Sequence, residues 1–552
     1  MLMKRSVYIL FVFALLAGCN PDNPDNPGGG NKTTPEVYTI SGVVSGSDGK
    51  VLKDVVVSDG LNCVLTDAEG RYYLNSDLDK TDYVFVSTPS AYAAPVKDGH
   101  ACFWKFLKEV GKGPSGKYSV DFLLNKISSP ERYAVLLFAD PQPRKRTAGL
   151  DKVAYHSLDC CEDMYRDMKD YVATLGGIPV YGIGLGDIVH QDLSLLAQYK
   201  SGMSTTGVVT YNVIGNHDQQ HILEQSDDEA CKAYEAIMGP VNYSFNLGGM
   251  HYLMLDNMIA PGPNTGKYSD ECITGLTDAI WDWVKNDLAL VPADMPLMVC
   301  AHSPMMHMQN GKDRTGQHLA DLRNLLSKHP KAYVWAGHTH STYNYVDKAN
   351  PVVETHTVSR VTGCLWTNEY LGSNGTPRGY VALNYDNGNV TWKFKPLYGQ
   401  SGSYTGDGNG GKTPSYVWRD WDYVSGKAVL KSSGKPLDDS YQMQVFPPGT
   451  YGDKYLYVNV FLWDELWQAP RLTIDGVPTV MKRVTEKDFR YSFSDWDITS
   501  FYNVNTKVGS EFVPDKNNCD SMFRVYVDAP TGSGTVSVKD RFGNTFTSSI
   551  TW

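Results

Sequence analysis

Outside residues 7–17, no stretch of this chain is long and apolar enough to cross a bilayer as a helix, so a polytopic helical membrane protein is excluded. No Lys/Arg stripe offsets the formal net charge of -11, which argues against a nucleic-acid backbone as partner. A local basic pocket for a small phosphorylated substrate stays compatible with that charge. The 10 cysteines lack the spacing of a disulfide scaffold or a zinc knuckle. Cys63 and Cys102 fall in one small region and could pair in an oxidising compartment. Adjacent Cys160 and Cys161 read as helix packing, and Cys300 as core.

At 552 residues the chain is too long for one core and implies three or four domains. Its 42% apolar and 20% charged residues describe a soluble globular protein. Lys4 and Arg5 precede the apolar run Val7–Ala17, which is short for a membrane span but suits a signal segment. The run ends in Leu16-Ala17-Gly18-Cys19, which resembles a bacterial lipoprotein signal. It implies a signal peptide over 1–18 and a lipid on Cys19. The expected location is the cell envelope, on the periplasmic side or the outer-membrane surface. Residues 19–36, rich in Pro, Asn and Gly, read as a disordered tether.

Residues 37–125 alternate apolar and polar positions between turns, as a small β-sandwich would, and resemble a prealbumin-like module. From Tyr133 the period changes. Tyr133–Ala139 and Val180–Leu185 are near-continuous apolar runs, the mark of strands buried on both faces. Helical spacing recurs at 150–173, 222–238, 276–290 and 315–328, with further strands at 208–214, 295–300 and 332–336. Tyr243–Leu255 reads as a hairpin turning at Gly248-Gly249. Strands at 380–385 and 390–395, joined through Asn387-Gly388, close a catalytic domain over 130–398. Residues 399–424 read as a linker and 425–552 as a second all-β domain. Trp463, Trp467 and Phe501 read as that domain's core or its seam with the catalytic domain.

Metal-ligating residues cluster at the ends of the buried strands. Asp140 and Gln142 follow the first, and Gly186-Asp187 the second. Gly215-Asn216-His217-Asp218, His302 and Gly337-His338-Thr339-His340 follow the others. In an open α/β sheet, ligands gather at that carboxyl edge. Residues two apart in extended backbone point the same way, so His338 and His340 can face one site. Carboxylate and imidazole donors suit Zn, Fe or Mn, with Mg or Ca possible. A shared carboxylate would hold two divalent or trivalent ions roughly 3.5–4 Å apart.

These five motifs, in this order over about 260 residues, resemble the calcineurin-like metallophosphoesterase superfamily, whose pattern is D-x-H, G-D, G-N-H-[DE], a lone His and G-H-x-H. The flanking β regions resemble the modules of a secreted Bacteroidetes-type group. The resemblance implies an α/β four-layer sandwich: two mixed β-sheets flanked by helices, between a small N-terminal β-sandwich and a C-terminal all-β domain. It implies Asp140, Asp187 and His340 on one ion, and Asp187, Asn216, His302 and His338 on the other. A hydroxide bridging the ions would attack a phosphomonoester or phosphodiester. His217 is then expected to contact phosphate or protonate the leaving oxygen, oriented by Asp218 or by a carboxylate outside the motif. Gln142 stands where the family has His. It is either a weaker neutral ligand or a hydrogen-bonding neighbour of one. His190, three past Asp187, stands where protein Ser/Thr phosphatases have an Asp, and is expected to touch substrate or line the loop.

Of the remaining candidates, His221 and His307 could line the cleft and His356 could reach its edge. Tyr268 and Arg314 could form the substrate wall, with Arg314 suited to phosphate. Asp256 and Asn257 end beside the ligand-bearing strands. His251, His318 and His329 read as structural or solvated. Expected partners are a small phosphorylated substrate, or a phospholipid or glycan phosphoester, with the membrane reached through Cys19 and the protein a monomer. Two competing readings share the motifs. One is a pyrophosphatase-like hydrolase of nucleotide-sugar or lipid-linked phosphoanhydrides. The other is a surface binding protein with a vestigial metal site.

Overall fold

The protein is described here by a computed structural model that covers residues 37–147, 150, 155–306, 313–347, 350–362, 374–397, 421–424, 427–430, 434, 437–484, 505–508, 511–514 and 521–552. The signal segment, Cys19, the tether, most of the 399–424 linker, His307 and Phe501 lie outside the described residues.

Two mixed sheets form the centre. In the first, Arg132–Phe138 pairs in parallel with Val180–Leu185, which pairs in parallel with Val209–Val213. The hairpin Gly379–Asp386/Asn389–Pro396 adds antiparallel strands on the other side. In the second, Met250–Leu255, Leu297–Ala301, Ala332–Ala336 and Val353–Thr357 run parallel, with Tyr243–Leu247 and Tyr343–Val346 antiparallel at the edges. Alternate side chains leave a strand on opposite faces. Ala134, Leu136 and Phe138 therefore pack under the helices Ser157–Thr174 and Leu196–Ser204, while Tyr133, Val135 and Leu137 pack toward the second sheet. Both faces are buried, which is why the strand reads as one apolar run. The helices Asp278–Leu288 and Leu319–Leu326 bury Trp283, Val284 and Leu322 in the core that includes the second sheet. This is the expected four-layer sandwich between β-rich modules.

Helix starts follow local chemistry. Ser226 and Glu229 form a capping box ahead of Asp227–Met238, and the Thr277 hydroxyl accepts from the Ile280 amide to start Asp278–Leu288. The patterns at 222–238 and 276–290 are each trimmed to begin just after these caps.

Two features depart from the sequence reading. The N-terminal module is not separate: His100 pairs in parallel with Thr210 and extends the first catalytic sheet, and the Trp283 indole donates to the Ser58 hydroxyl at 3.0 Å. Cys63 and Cys102 are both free thiols. Cys63 is registered opposite Ser58 in the module's four-stranded sheet, whereas Cys102 leaves the strand that joins the catalytic sheet. Among the described residues no helix is long and apolar enough to cross a membrane.

The C-terminal module is built mainly on two four-stranded sheets and docks through a buried ion cluster. Glu354, fully buried, takes two bonds from Arg541 at 2.6 and 2.7 Å and further contacts from Lys331 and His356. Burial alone would raise the Glu354 carboxyl, but bonds from His356 and Arg541 outweigh it and hold it well below the ordinary range. Asp464 also meets Arg541 at 3.1 Å, yet burial dominates there and pushes it up, so Arg541 serves Glu354 first. His356 belongs to this seam, stacked on Trp335, and not to the edge of the metal loop. Trp463 lies in the same seam, its carbonyl accepting from Asn344, while Trp467 is buried beside Phe546.

Removing one partner of a buried pair costs about 3 kcal/mol or more. Arg541→Met is therefore expected to lower unfolding stability by about that amount, read by denaturant unfolding at neutral pH. Glu354's folded carboxyl sits below its unfolded range, so its contribution is complete above that range, declines as pH drops below it, and is lost as pH falls through the depressed folded value. The deficit should shrink in acid; a deficit constant with pH would contradict the cluster's role.

Candidate metal centre

The candidate ligands sit where the carboxyl ends of the two sheets meet. Asp140, Asp187 and Asn216 come from the first sheet; His302, His338 and His340 come from the second. Asp187, His302 and His338 bring ligand atoms within 4.8 Å of one another, and Asp140, Asp187 and His340 do the same. Asp187 is common to both. Its Oδ1 lies 3.2 Å from His302 Nε2, and the Asp140 carboxylate lies 3.3 Å from His340 Nε2. His338 Nδ1 and His302 Nε2 approach to 3.2 Å.

The backbone is bent to make this possible. Asp140, Asp187, His338 and His340 all have positive φ, between 51° and 66°, and Gln142 has φ of 40°. Such conformations cost energy outside glycine and cluster at functional sites. The motif glycines act by leaving space. Gly186 takes a φ of 83°, and a Cβ there would collide with the His302 ring. A Cβ at Gly337 would come 2.6 Å from the Asp140 carboxylate.

Four of the candidate ligands, Asp140, Asp187, Asn216 and His302, are held by a further hydrogen bond. The His302 Nδ1–H donates to the Leu185 carbonyl at 2.8 Å, turning Nε2 toward Asp187 and tying the two sheets together. The His338 amide donates to Asp140, and the His217 amide to Asp187. The Asn257 side chain clips the loop after His302 by bonding both the amide and the carbonyl of Ser303. Burial raises the Asp187 carboxyl, but His302 and His217 outweigh it and hold it well below the ordinary range. Burial would lower His302, yet Asp187 raises it to about 9. Burial, then neighbouring His302, depress His338.

The amides decide whether metal ions fit. Asn216 donates its Nδ2 to the Asp270 carbonyl at 3.3 Å, leaving Oδ1 buried without a hydrogen-bond partner. Gln142 donates its Nε2 to Asp187, leaving Oε1 in the same condition. Two orphaned acceptor oxygens beside two Asp/His clusters suit cations.

Asp218, expected to orient His217, is not placed to do so. Its carboxylate accepts from the amides of Ile188, Val189 and Gly215, bracing one ligand loop against another. Burial, then Asp187, push it up to about 7. The carboxylate beside His217 is Asp270, at 4.0 Å from Nδ1. Asp270 also takes the His221 Nδ1–H at 2.7 Å and the Gln191 amide. Tyr268 stacks on His221, with ring centroids 4.2 Å apart. Arg314 donates to the Thr274 hydroxyl on the His338 side. The His190 ring packs at a tilt against that of His217, centroids 4.2 Å apart, and meets Arg144 through Nε2. Sequence reasoning singled out neither Asp270, Arg144 nor the buried Arg360.

Two family descriptions match: "N terminal of Calcineurin-like phosphoesterase" over residues 38–126, and "C terminal of Calcineurin-like phosphoesterase" over 355–546. The chain has a calcineurin-like metallophosphoesterase fold with N- and C-terminal modules. Among solved structures it is similar to a dimetal phosphatase from Danio rerio (14% identity, 48% of this chain and 96% of that one, TM-score 0.35). It is also similar to a purple acid phosphatase from yellow lupin (14% identity, 49% of this chain and 53% of that one, TM-score 0.34). The chain thus spans about half of the lupin enzyme. No curated protein matches it. Within this metallophosphoesterase fold, Asp187→Ala should abolish the uptake of about two metal equivalents, measured by elemental analysis after reconstitution. Gln142→Ala should weaken only one equivalent; equal loss of both would place Gln142 elsewhere.

Proposed function

We propose that the protein is a two-metal-dependent phosphoesterase, and the observation that carries this is Asp187 shared between two Asp/His clusters. Asp140, Asp187 and His340 would hold one ion, with Gln142 beside it. Asp187, Asn216, His302 and His338 would hold the other, and Fe, Mn or Zn suit the donors. When bound, such a pair lowers the pKa of water and offsets charge on phosphoryl oxygens. The chain's own residues supply orientation and proton transfer. His217 follows Asn216 directly and lies beside Asp270, so its imidazole is held against the ligand cluster with a carboxylate behind it. From there it would protonate the leaving oxygen of a phosphate ester. Burial lowers the His217 pKa and outweighs Asp187 and Asp270, which oppose that shift. The complete Asp, Asn and His set, with Asp140, Asp187, Asn216 and His302 each braced by a further hydrogen bond, supports a working site over a vestigial one.

The finer kinship with a secreted Bacteroidetes-type group rests on the order of modules. Anchoring through Cys19 rests on the Leu-Ala-Gly-Cys box and the tether behind it. Intact mass of the native protein tests the anchor: a lipid increment on a chain starting at Cys19 supports it, and an unmodified Met1 rejects it.

His217→Ala should leave metal content intact and lower kcat on an aryl phosphate by roughly 10²–10⁴-fold. The loss should be larger for a poor alkoxide leaving group than for nitrophenolate, which needs little protonation. Equal losses would indicate electrostatic stabilisation instead, and unchanged turnover on both would mean this cleft is not the active site.

A further inference from the structure

The unpaired polar atoms around the metal centre include two chemically distinct sets. Gln142 Oε1 and Asn216 Oδ1 are acceptors, and they belong to the ligand clusters. The other set consists of donors. Arg144 Nε and both Nε and Nη1 of Arg360 are buried without a hydrogen-bond partner among the described residues. His190 joins them. A guanidinium can only donate, so His190 Nε2 accepts from Arg144, and the ring proton lies on Nδ1, which is also buried and without a partner.

Arg360 is fully buried, and no carboxylate among the described residues pairs with it. Its place beside the centre is fixed by the backbone. Arg360 bridges to Ala139, the residue before Asp140, and the next amide, Val361, donates to the Ala139 carbonyl at 3.1 Å. One guanidinium nitrogen is explained structurally: Nη2 donates to the Thr362 hydroxyl, which in turn holds the Pro141 carbonyl. Pinning the Asp140–Gln142 loop accounts for that nitrogen and leaves the other two. Arg144, two residues past Gln142, is half-buried, its amide tied to the Ser157 hydroxyl. His190 meets this arginine through Nε2 and packs at a tilt against the His217 ring.

A buried cation with no counter-charge is strongly unfavourable. Two guanidiniums with open donors therefore call for an anion rich in oxygens, and phosphoryl groups match that geometry. The charge balance narrows the class further. Two divalent ions already exceed the charge of Asp140 and Asp187, and the two arginines add to the excess. A phosphomonoester brings two negative charges and three terminal oxygens. A diester brings one charge, and its second ester arm would meet the donors instead of an oxygen anion.

We infer that Arg144, His190 and Arg360 form an anion-binding subsite that holds the terminal oxygens of a phosphomonoester and selects it over a diester. The selection rests on the phosphoesterase reading above; the anion subsite stands on the orphaned donors.

The test combines phosphate binding with substrate choice, using the full-length mature protein loaded with metal. Inorganic phosphate is titrated by calorimetry, and kcat/KM is compared for an aryl phosphate and its aryl methyl diester. Wild type should prefer the monoester. Arg144→Met and Arg360→Met should each weaken phosphate binding about 10-fold or more, the scale of a lost charged hydrogen bond, and narrow the monoester preference, Arg144→Met with metal content unchanged. Arg360→Lys should recover part of both. Unaltered phosphate affinity in folded variants, or a wild-type preference for the diester, overturns the inference. Should Arg360→Met fail to fold, Arg144→Met and Arg360→Lys decide it by the same two readouts. Arginine-dependent phosphate binding without hydrolysis of either ester would sink the phosphoesterase reading and leave the subsite standing. Hydrolysis by wild type with phosphate binding indifferent to both arginines would do the reverse.

Discussion

Asp187 is the carboxylate on which the whole centre depends, because both clusters need it and neither sheet could place it alone. One oxygen faces His302, delivered by the second sheet, and accepts from the His217 amide; the other is touched by Gln142. A carboxylate with this many neighbours needs a rigid backbone. The chain provides it at Gly186, which alone fits under the His302 ring, and at Asp218, whose carboxylate staples the following amides to the Gly215 loop. Asp218 therefore acts on the centre by fixing where Asp187 stands. The bond from His302 to the Leu185 carbonyl closes the loop of dependence: the first sheet aims a ligand of the second.

That dependence extends into the C-terminal module. Its Asn459 side chain donates to the Asn374 carbonyl at 2.7 Å, and the Asn374 side chain donates in turn to the Thr342 carbonyl and hydroxyl, two residues past His340. The Glu354 cluster fixes the strand beside Ala332–Ala336, which leads into Gly337 and His338. A module with no candidate ligand among its described residues thus buttresses the loop that carries two of the six Asp, Asn and His candidates. Its packing is a condition for the metal geometry, and the family match from 355 to 546, which begins inside the catalytic sheet, reflects the same continuity.

The layers and candidate ligands were legible because each leaves a local mark. Strands buried on both faces read as apolar runs, and a Gly beside an Asp, Asn or His at the end of such a run marks backbone closing on a candidate metal site. What escaped had no local mark. Asp270 reaches His217 from a loop over fifty residues downstream, and nothing in its neighbourhood separates it from an ordinary turn aspartate. Arg360 looks like any arginine until its burial is known. His356 was misread because closeness in sequence to the metal loop was taken for closeness in space; it faces Glu354 and Trp335 in the module seam instead. The Cys63–Cys102 pairing failed for the same kind of reason. The strand carrying His100 leaves its own module for the catalytic sheet, a tertiary choice that alternation cannot reveal.

The left-handed backbone of Asp140, Gln142, Asp187, His338 and His340 gives these observations a common cause. Each such residue is strained, and a strained turn persists only where its surroundings over-determine it. Here the surroundings are the reciprocal bonds between loops: the Asp140 amide to the Gly186 carbonyl, Gln142 to Asp187, Gly337 to His302, and His338 back to Asp140. The loops hold one another, so the centre is a closed network across two sheets and not five independent strand ends. A substitution that relaxes one turn should therefore disturb ligands on the opposite sheet. Such coupling explains why the flanking modules and the motif glycines are built so tightly around six candidate ligands.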